Sequence, residues 1–173
     1  SWFIKMTDVK EQLIANNNTI NWIPESIGKG RFGDWLQNVQ DWGISRNRYW
    51  GTPLNIWECS CGHFHSIGSI EELRSMSDNC PENIELHRPY IDAVTIKCSE
   101  CGGEMKRVPE VIDCWFDSGS THYSAMEKDQ GFWPATMYIE GADQYRGWFQ
   151  SALLTAVGAL GRPAPFKECL THG

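Results

Sequence analysis

No apolar run in the 173-residue sequence is long enough to cross a bilayer, basic charge is not in excess, and no segment is repeated or of low complexity. The longest apolar stretch, around Ser151–Leu160, falls short of the roughly 20 residues a spanning helix needs and is broken by Gly158. No basic-then-apolar leader opens the sequence, so the expectation is a soluble, cytoplasmic protein without a membrane partner. Lys and Arg number 15 against 22 Asp and Glu, a net charge of −7. Such a chain has no continuous basic face for gripping a nucleic-acid backbone, and DNA is not an expected partner. Hydrophobic residues still make up 41% of the sequence, which excludes a disordered or collagen-like chain and is enough for a core.

What is present in quantity is cysteine, seven residues, and tryptophan, nine. The cysteines at 59, 61, 80, 98, 101, 114 and 169 are odd in number and include two tight pairs. A secreted disulfide framework favours even counts in shorter chains, so metal binding is the better reading. The tryptophans are spread over the whole chain, which predicts that most of them serve the core.

Asp8 and Glu11 form a capping-box pattern ahead of Val9, Leu13 and Ile14, predicting a helix near 8–16 that the Asn16–Asn18 run stops. Phe32, Trp35, Leu36 and Val39 fall at helical spacing and predict a second helix over 31–40. Residues 56–108 read as a small β-rich insertion, with a capped helix starting after Ser69, and the flanking 1–55 and 109–173 as the main domain. In the last third, a strand at 136–140, a long helix at 144–160 carrying Trp148, Ala152, Thr155 and Ala159 on one stripe, and a strand at 166–170 form a βαβ unit, which implies parallel strands. The predicted fold class is α/β.

Four groups of residues carry possible chemistry. Cys59, Cys61, Cys98 and Cys101 on two hairpins can close a tetrahedral Zn²⁺ site, a structural metal that would support an insertion with little core of its own. Cys98-x-x-Cys101-Gly102-Gly103 is a good knuckle. Cys59-x-Cys61 is one residue short, its side chains would lie rather far apart on a regular strand, and Gly62 could supply the bend. His63 or His65 could replace one thiol. A redox Cys-x-x-Cys is disfavoured because that pair should open a helix, and here it sits between strands.

The second group is Glu140-Gly141-Ala142-Asp143-Gln144, between a strand end and a helix start, where α/β folds bind ligands and free backbone N–H groups can meet phosphate. The plainer alternative is Asp143 as an N-cap. The third is Asp113–Ser120, read as a glycine turn before a short helix, with Asp117 or Ser118 as the alternative cap. The fourth is Ser45–Pro53, in which Arg46 and Arg48 lie beside aromatics and could meet phosphate.

Three strings, Asp41-Trp42-Gly43-Ile44-Ser45-Arg46-Asn47-Arg48-Tyr49-Trp50-Gly51-Thr52-Pro53, Trp115-Phe116-Asp117-Ser118-Gly119 and Glu140-Gly141-Ala142-Asp143-Gln144-Tyr145-Arg146-Gly147-Trp148-Phe149-Gln150, closely resemble the isoleucyl branch of the class I aminoacyl-tRNA synthetases, in that order. The resemblance implies a Rossmann-like parallel nucleotide-binding fold with a zinc-ribbon-like insertion, in an enzyme that activates isoleucine with ATP and Mg²⁺ and esterifies the acceptor end of tRNA(Ile). It implies that Glu140, Gly141, Asp143 and Gln144 line the aminoacyl-adenylate site and that Trp115 and Trp148 wall the isoleucine pocket. The His-x-Gly-His and Lys-Met-Ser-Lys-Ser elements that hold the ATP phosphates in this family do not occur in the sequence. The resemblance therefore implies a fragment of a longer enzyme, inactive alone. The alternatives are a non-catalytic zinc-ribbon module binding RNA or protein, which predicts a basic face, and a redox protein.

Overall fold

The computed structural model describes residues 1–126, 131 and 133–173. Their contacts divide them into two units, Ser1–Ile44 with Asp113–Gly173, and Ser45–Ile112. The second unit is wider than 56–108 because Ser45–Arg46 pairs antiparallel with Val111–Ile112 and closes its two ends together.

The first unit is built on three parallel strands in the order Ala135–Gly141, Phe166–His172, Asn21–Ile23. Side chains alternate across a sheet, and the register makes the alternation visible. Tyr138, Cys169 and Trp22 stand side by side on the buried face, whereas Ile139, Leu170 and Ile23 stand side by side on the other. That second row is poorly covered, with Ile139 55% and Ile23 39% exposed. Beneath the buried row lie Leu13, Phe32, Leu36, Phe149, Leu153 and Phe166, with the Trp22 ring edge-on to Phe32 at 5.5 Å and to Phe149 at 5.6 Å. The Trp22 Nε1–H donates to Asn17 Oδ1 at 2.9 Å, and Asn17 Nδ2 donates to the Gly28 carbonyl at 2.9 Å, so the polar groups of these two buried side chains are satisfied.

Strand, crossover and parallel strand stand as the sequence pattern predicts, but the crossover is not one helix. A 3₁₀ turn at Ala142–Arg146 precedes a helix over Trp148–Leu153, which widens into π-type turns over Leu154–Ala159. The break is at Gly147, which leaves helical geometry (φ −136°, ψ −118°). Ala152 and Thr155 are buried, while Ala159 is exposed and leaves the predicted stripe. The first helix runs Lys10–Asn17 after a 3₁₀ turn at Met6–Val9. Asp8 lies inside that turn and pairs with Lys5 at 3.0 Å, so it is not the expected cap. The second helical segment starts earlier than 31–40, at Ile27, with wide turns to Phe32 and a helix over Gly33–Gln37.

In the second unit four antiparallel strands stand in the order Phe64–Ser66, Ile56–Cys59, Glu104–Arg107, Thr95–Lys97. The helix Ile70–Met76 starts as predicted, with Ser69 Oγ accepting from the Glu72 N–H at 3.1 Å. Trp57, Leu73, Ile91, Val94, Ile96 and Met105 form the core. The Arg107 side chain is fully buried, and its guanidinium donates to Asp92 Oδ1 (Nε at 2.7 Å) and, through Nη1, to the carbonyls of Leu54 and Glu110. The second carboxylate oxygen of Asp92 accepts from Arg88 Nε at 2.7 Å.

Of the nine tryptophans only Trp22 and Trp57 are buried. Trp35, Trp42 and Trp148 pack partly against the core of the first unit, and Trp50 is 72% exposed. Five of the nine, Trp22, Trp57, Trp35, Trp42 and Trp148, thus serve a core, as expected, and only the first two are buried within it.

Candidate functional site

In the second unit the strand Ile56–Cys59 ends at its cysteine, and the chain turns at once. The Gly62 N–H reaches the Cys59 carbonyl at 2.9 Å, and Gly62 takes φ +89°. The second knuckle repeats this geometry, with the Gly102 N–H on the Cys98 carbonyl at 2.9 Å and Gly102 at φ +71°. Both glycines occupy the left-handed region that side chains resist. The turn after Cys59 is what makes the shorter Cys-x-Cys spacing sufficient.

The four sulfurs of Cys59, Cys61, Cys98 and Cys101 lie within 4.8 Å of one another, with Cys59 to Cys101 at 3.5 Å and Cys61 to Cys98 at 3.8 Å. These are too long for disulfides. A tetrahedron with Zn–S bonds of 2.3 Å has edges of about 3.8 Å, and the cluster matches it. The Cys61 N–H aimed at the Cys59 sulfur brings that thiol down to about 7. Cys101 receives the Gly103 N–H, yet the crowding sulfurs of Cys59, Cys61 and Cys98 push it up to about 12. The four thiols therefore resist losing their protons together unless a cation replaces them. His63 Nε2 lies 3.3 Å from Ser99 Oγ, and His65 Nε2 lies 2.9 Å from Glu72 Oε1, so neither histidine joins the cluster. Burial pushes the Cys169 thiol up to about 12 and leaves it an inert member of the sheet.

In the first unit three of the six candidate residues, Glu140, Gln144 and Trp148, meet at the carboxyl end of Ala135–Gly141, and Trp115 is not among the lining residues. An open cleft of about 380 Å³ is lined by Ser118, Thr121, Glu140, Gln144 and Trp148. Trp148 is fixed on three sides. Its Nε1–H donates to the Ser118 carbonyl at 2.9 Å, its backbone N–H donates to Gln144 Oε1 at 3.0 Å, and its ring stacks on Tyr138 at 4.2 Å. The Gln144 carbonyl is thus occupied, and its Nε2 lies 3.4 Å from Asp143 Oδ2.

Gly141 and Asp143 flank the cleft without lining it. Asp143 makes no capping bond: it lies in the first 3₁₀ turn after Gly141. The turn is short, and at the start of the helix that follows it Gln144 Oε1 already takes the Trp148 N–H. Trp115 is 40% exposed, and its ring edge stands 3.1 Å from where a Gly147 side chain would begin.

The Asp113–Ser120 string is a helix, Cys114–Gly119, rather than a turn, and Asp113 is its cap, accepting from the Trp115 N–H at 3.3 Å. Gly119 is its packing point: a Cβ there would lie 2.6 Å from the Ser151 carbonyl oxygen. Sequence reasoning missed Ser118 and Thr121 as cleft residues, although Ser118 lies within the Trp115–Gly119 string and Thr121 just after it. In the fourth group Arg46 Nη1 donates to its neighbour's carbonyl, Ser45 O, at 3.0 Å, while the guanidinium of Arg88 lies over the Tyr49 ring at 5.0 Å.

A family model described as tRNA synthetases class I (I, L, M and V) matches residues 1–173. The chain belongs to this family. The isoleucine–tRNA ligase of Clostridium tetani is 54% identical over the whole chain, and that of Clostridium novyi is 53% identical. The chain spans 17% of the length of each. The methionyl-tRNA synthetase of Mycobacterium tuberculosis, solved with methionyl-adenylate, superposes over the whole chain and 26% of its own, with a TM-score of 0.57 at 14% identity. That likeness shows the class I synthetase fold, mixed α/β with a parallel sheet. The cysteine cluster is a site able to hold a metal ion. No helix among the described residues is long and apolar enough to cross a membrane.

Proposed function

We propose that this chain is the part of an isoleucine–tRNA ligase that builds one wall of its amino-acid and adenylate site and carries a structural zinc. The observation that carries the reading is the cleft, in which Glu140, Gln144 and Trp148 converge at the end of a parallel strand. The identity to isoleucine–tRNA ligases supports isoleucine as the substrate.

In this reading the parent enzyme joins the isoleucine carboxylate to the α-phosphate of ATP, with release of pyrophosphate, and then passes the aminoacyl group to the acceptor end of tRNA(Ile). The residues of this chain do the holding. Glu140 supplies a carboxylate acceptor for the substrate ammonium, and Trp115 and Trp148 supply apolar surface for the branched side chain. Gln144 and Ser118 lock the Trp148 indole in place, so the wall is set before substrate arrives. Gly141 and Asp143 shape the adenylate side. The groups that meet the ATP phosphates and Mg²⁺ belong to other parts of the ligase, and the rate of adenylate formation depends on them. A metal at Cys59, Cys61, Cys98 and Cys101 cross-links two hairpins and takes no part in chemistry, because four thiolates leave no open position.

In the full-length ligase, Glu140→Ala and Trp148→Ala should each depress isoleucine-dependent pyrophosphate exchange. Wild-type kinetics in both would remove these residues from the site. Metal analysis should give about one zinc for this cluster.

A further inference from the structure

The cleft wall at Ser118 is held against the helix of Trp148 from behind, at a junction the sequence did not reveal. His122 is only 5% exposed. Its Nε2 lies 2.9 Å from Thr155 Oγ1, and that hydroxyl lies 2.6 Å from the Gly119 carbonyl oxygen. A hydroxyl has one proton and a carbonyl can only accept. The shortest contact therefore takes the Thr155 proton to Gly119, ahead of the Ser151 and Ala152 carbonyls at 3.0 and 3.1 Å. Thr155 Oγ1 must then accept from His122, which fixes the proton on Nε2 and leaves Nδ1 bare. Nδ1 is buried and has no partner among the described residues.

Burial holds this imidazole neutral, its pKa brought down to about 4. A buried acceptor without a partner is costly, and an aliphatic side chain would fill the space without that penalty. What the ring provides in return is the donor to Thr155. The chain of contacts runs His122, Thr155, Gly119, and the carbonyl of Ser118, the residue before Gly119, receives the Trp148 indole N–H.

We propose that His122 is a positioning residue of the amino-acid cleft: by donating from Nε2 to Thr155 it keeps the Thr155 hydroxyl on the Gly119 carbonyl, and so sets the distance between the wall at Ser118 and Trp148. The proposal rests on the isoleucine reading given above. It deepens that reading by assigning the width of the slot for a branched aliphatic side chain to a residue that never touches the substrate.

The test uses pyrophosphate exchange by the full-length ligase. His122→Leu removes the donor, and His122→Gln offers an amide N–H near the position of Nε2. Loss of one oriented hydrogen bond should raise the KM for isoleucine about tenfold in His122→Leu, with the KM for ATP unchanged. His122→Gln should recover most of that loss. Thr155→Val removes the same link from its other side with little change of shape, and should reproduce the isoleucine defect if His122→Leu does not fold. Wild-type isoleucine KM in Thr155→Val, equal defects in the Leu and Gln variants, or a parallel rise in the KM for ATP would each overturn the proposal. Trp148→Ala, measured alongside, separates the two levels. A normal isoleucine KM there means the cleft reading itself fails. A raised one, beside a normal His122→Leu, means only the positioning role fails.

Discussion

Gly119→Ala sets two effects of opposite sign against each other. Gly119 is the last residue of the Cys114–Gly119 helix, and alanine is preferred to glycine inside a helix by about 1 kcal/mol. On propensity alone the variant is stabilised. The packing opposes this, because the added methyl would stand 2.6 Å from the Ser151 carbonyl oxygen, 2.7 Å from its carbon and 2.9 Å from its Cβ. Ordinary contact begins near 3.4 Å, and two of the three obstacles are backbone. The two helices must part by about 0.8 Å, with loss of dispersion contacts along both. Overpacking of this kind costs about 1–3 kcal/mol, and stretching the Thr155 to Gly119 hydrogen bond adds about 1 kcal/mol. The net expectation is destabilisation by about 1–3 kcal/mol, read as a lower urea midpoint by tryptophan fluorescence, together with a raised isoleucine KM. Gly158→Ala is the internal control, since its methyl would meet Met6 and Val9 side chains at an ordinary 3.6 Å. It should gain the propensity term without the clash. Equal or greater stability of Gly119→Ala than wild type would refute the packing argument.

Three further outcomes are expected. Asp92→Ala leaves the enclosed Arg107 guanidinium without its counter-ion and should lower stability by about 3 kcal/mol, whereas a loss below about 1 kcal/mol would mean that water or a backbone shift replaces the carboxylate. His122 is depressed to about 4 from 6.5, so between those values the unfolded chain binds a proton that the folded chain does not. Its contribution makes stability fall as pH drops from above 6.5 towards 4, by up to about 3 kcal/mol, and His122→Gln should lose that part of the pH dependence. Arg162, the charged group that acts on His122, also disfavours protonation, and carboxylates common to both proteins cancel in the comparison. Chelation at neutral pH should make Cys59, Cys61, Cys98 and Cys101 reactive to a thiol reagent and reduce β-sheet circular dichroism; unchanged reactivity would count against a bound metal.

The readable parts of this sequence were those whose cause is local. Cys98-x-x-Cys101 followed by two glycines is a knuckle because the turn and the ligands are neighbours, and Gly62 announces the bend that lets Cys59 and Cys61 converge. The strand, crossover and strand of the last third were legible from apolar patterning alone. What escaped was decided by groups distant in sequence. Helical spacing runs through Gly147 without a signal, and the crowding by Gln144 and Trp115 that keeps a side chain out of that position comes from outside the local pattern. Gly119 looks like a turn residue until Ser151 is seen against it. His122 gave no signal at all, since a lone histidine after a glycine and two hydroxyl residues fits many surroundings. Asp8 and Glu11 show the opposite failure: a correct local pattern lost to an ion pair with Lys5 and to a 3₁₀ turn over Met6–Val9 that takes in Asp8 and delays the α-helix to Lys10.

The poorly covered row Ile139, Leu170 and Ile23 has a consequence for handling the 173 residues by themselves. Parallel sheets are ordinarily covered on both faces, and here the second face presents aligned aliphatic side chains, one from each strand, to water. Left in solution alone, such a surface gains by meeting another copy of itself, so dilution, detergent or a polar substitution at Ile139 becomes the condition for keeping the polypeptide monodisperse.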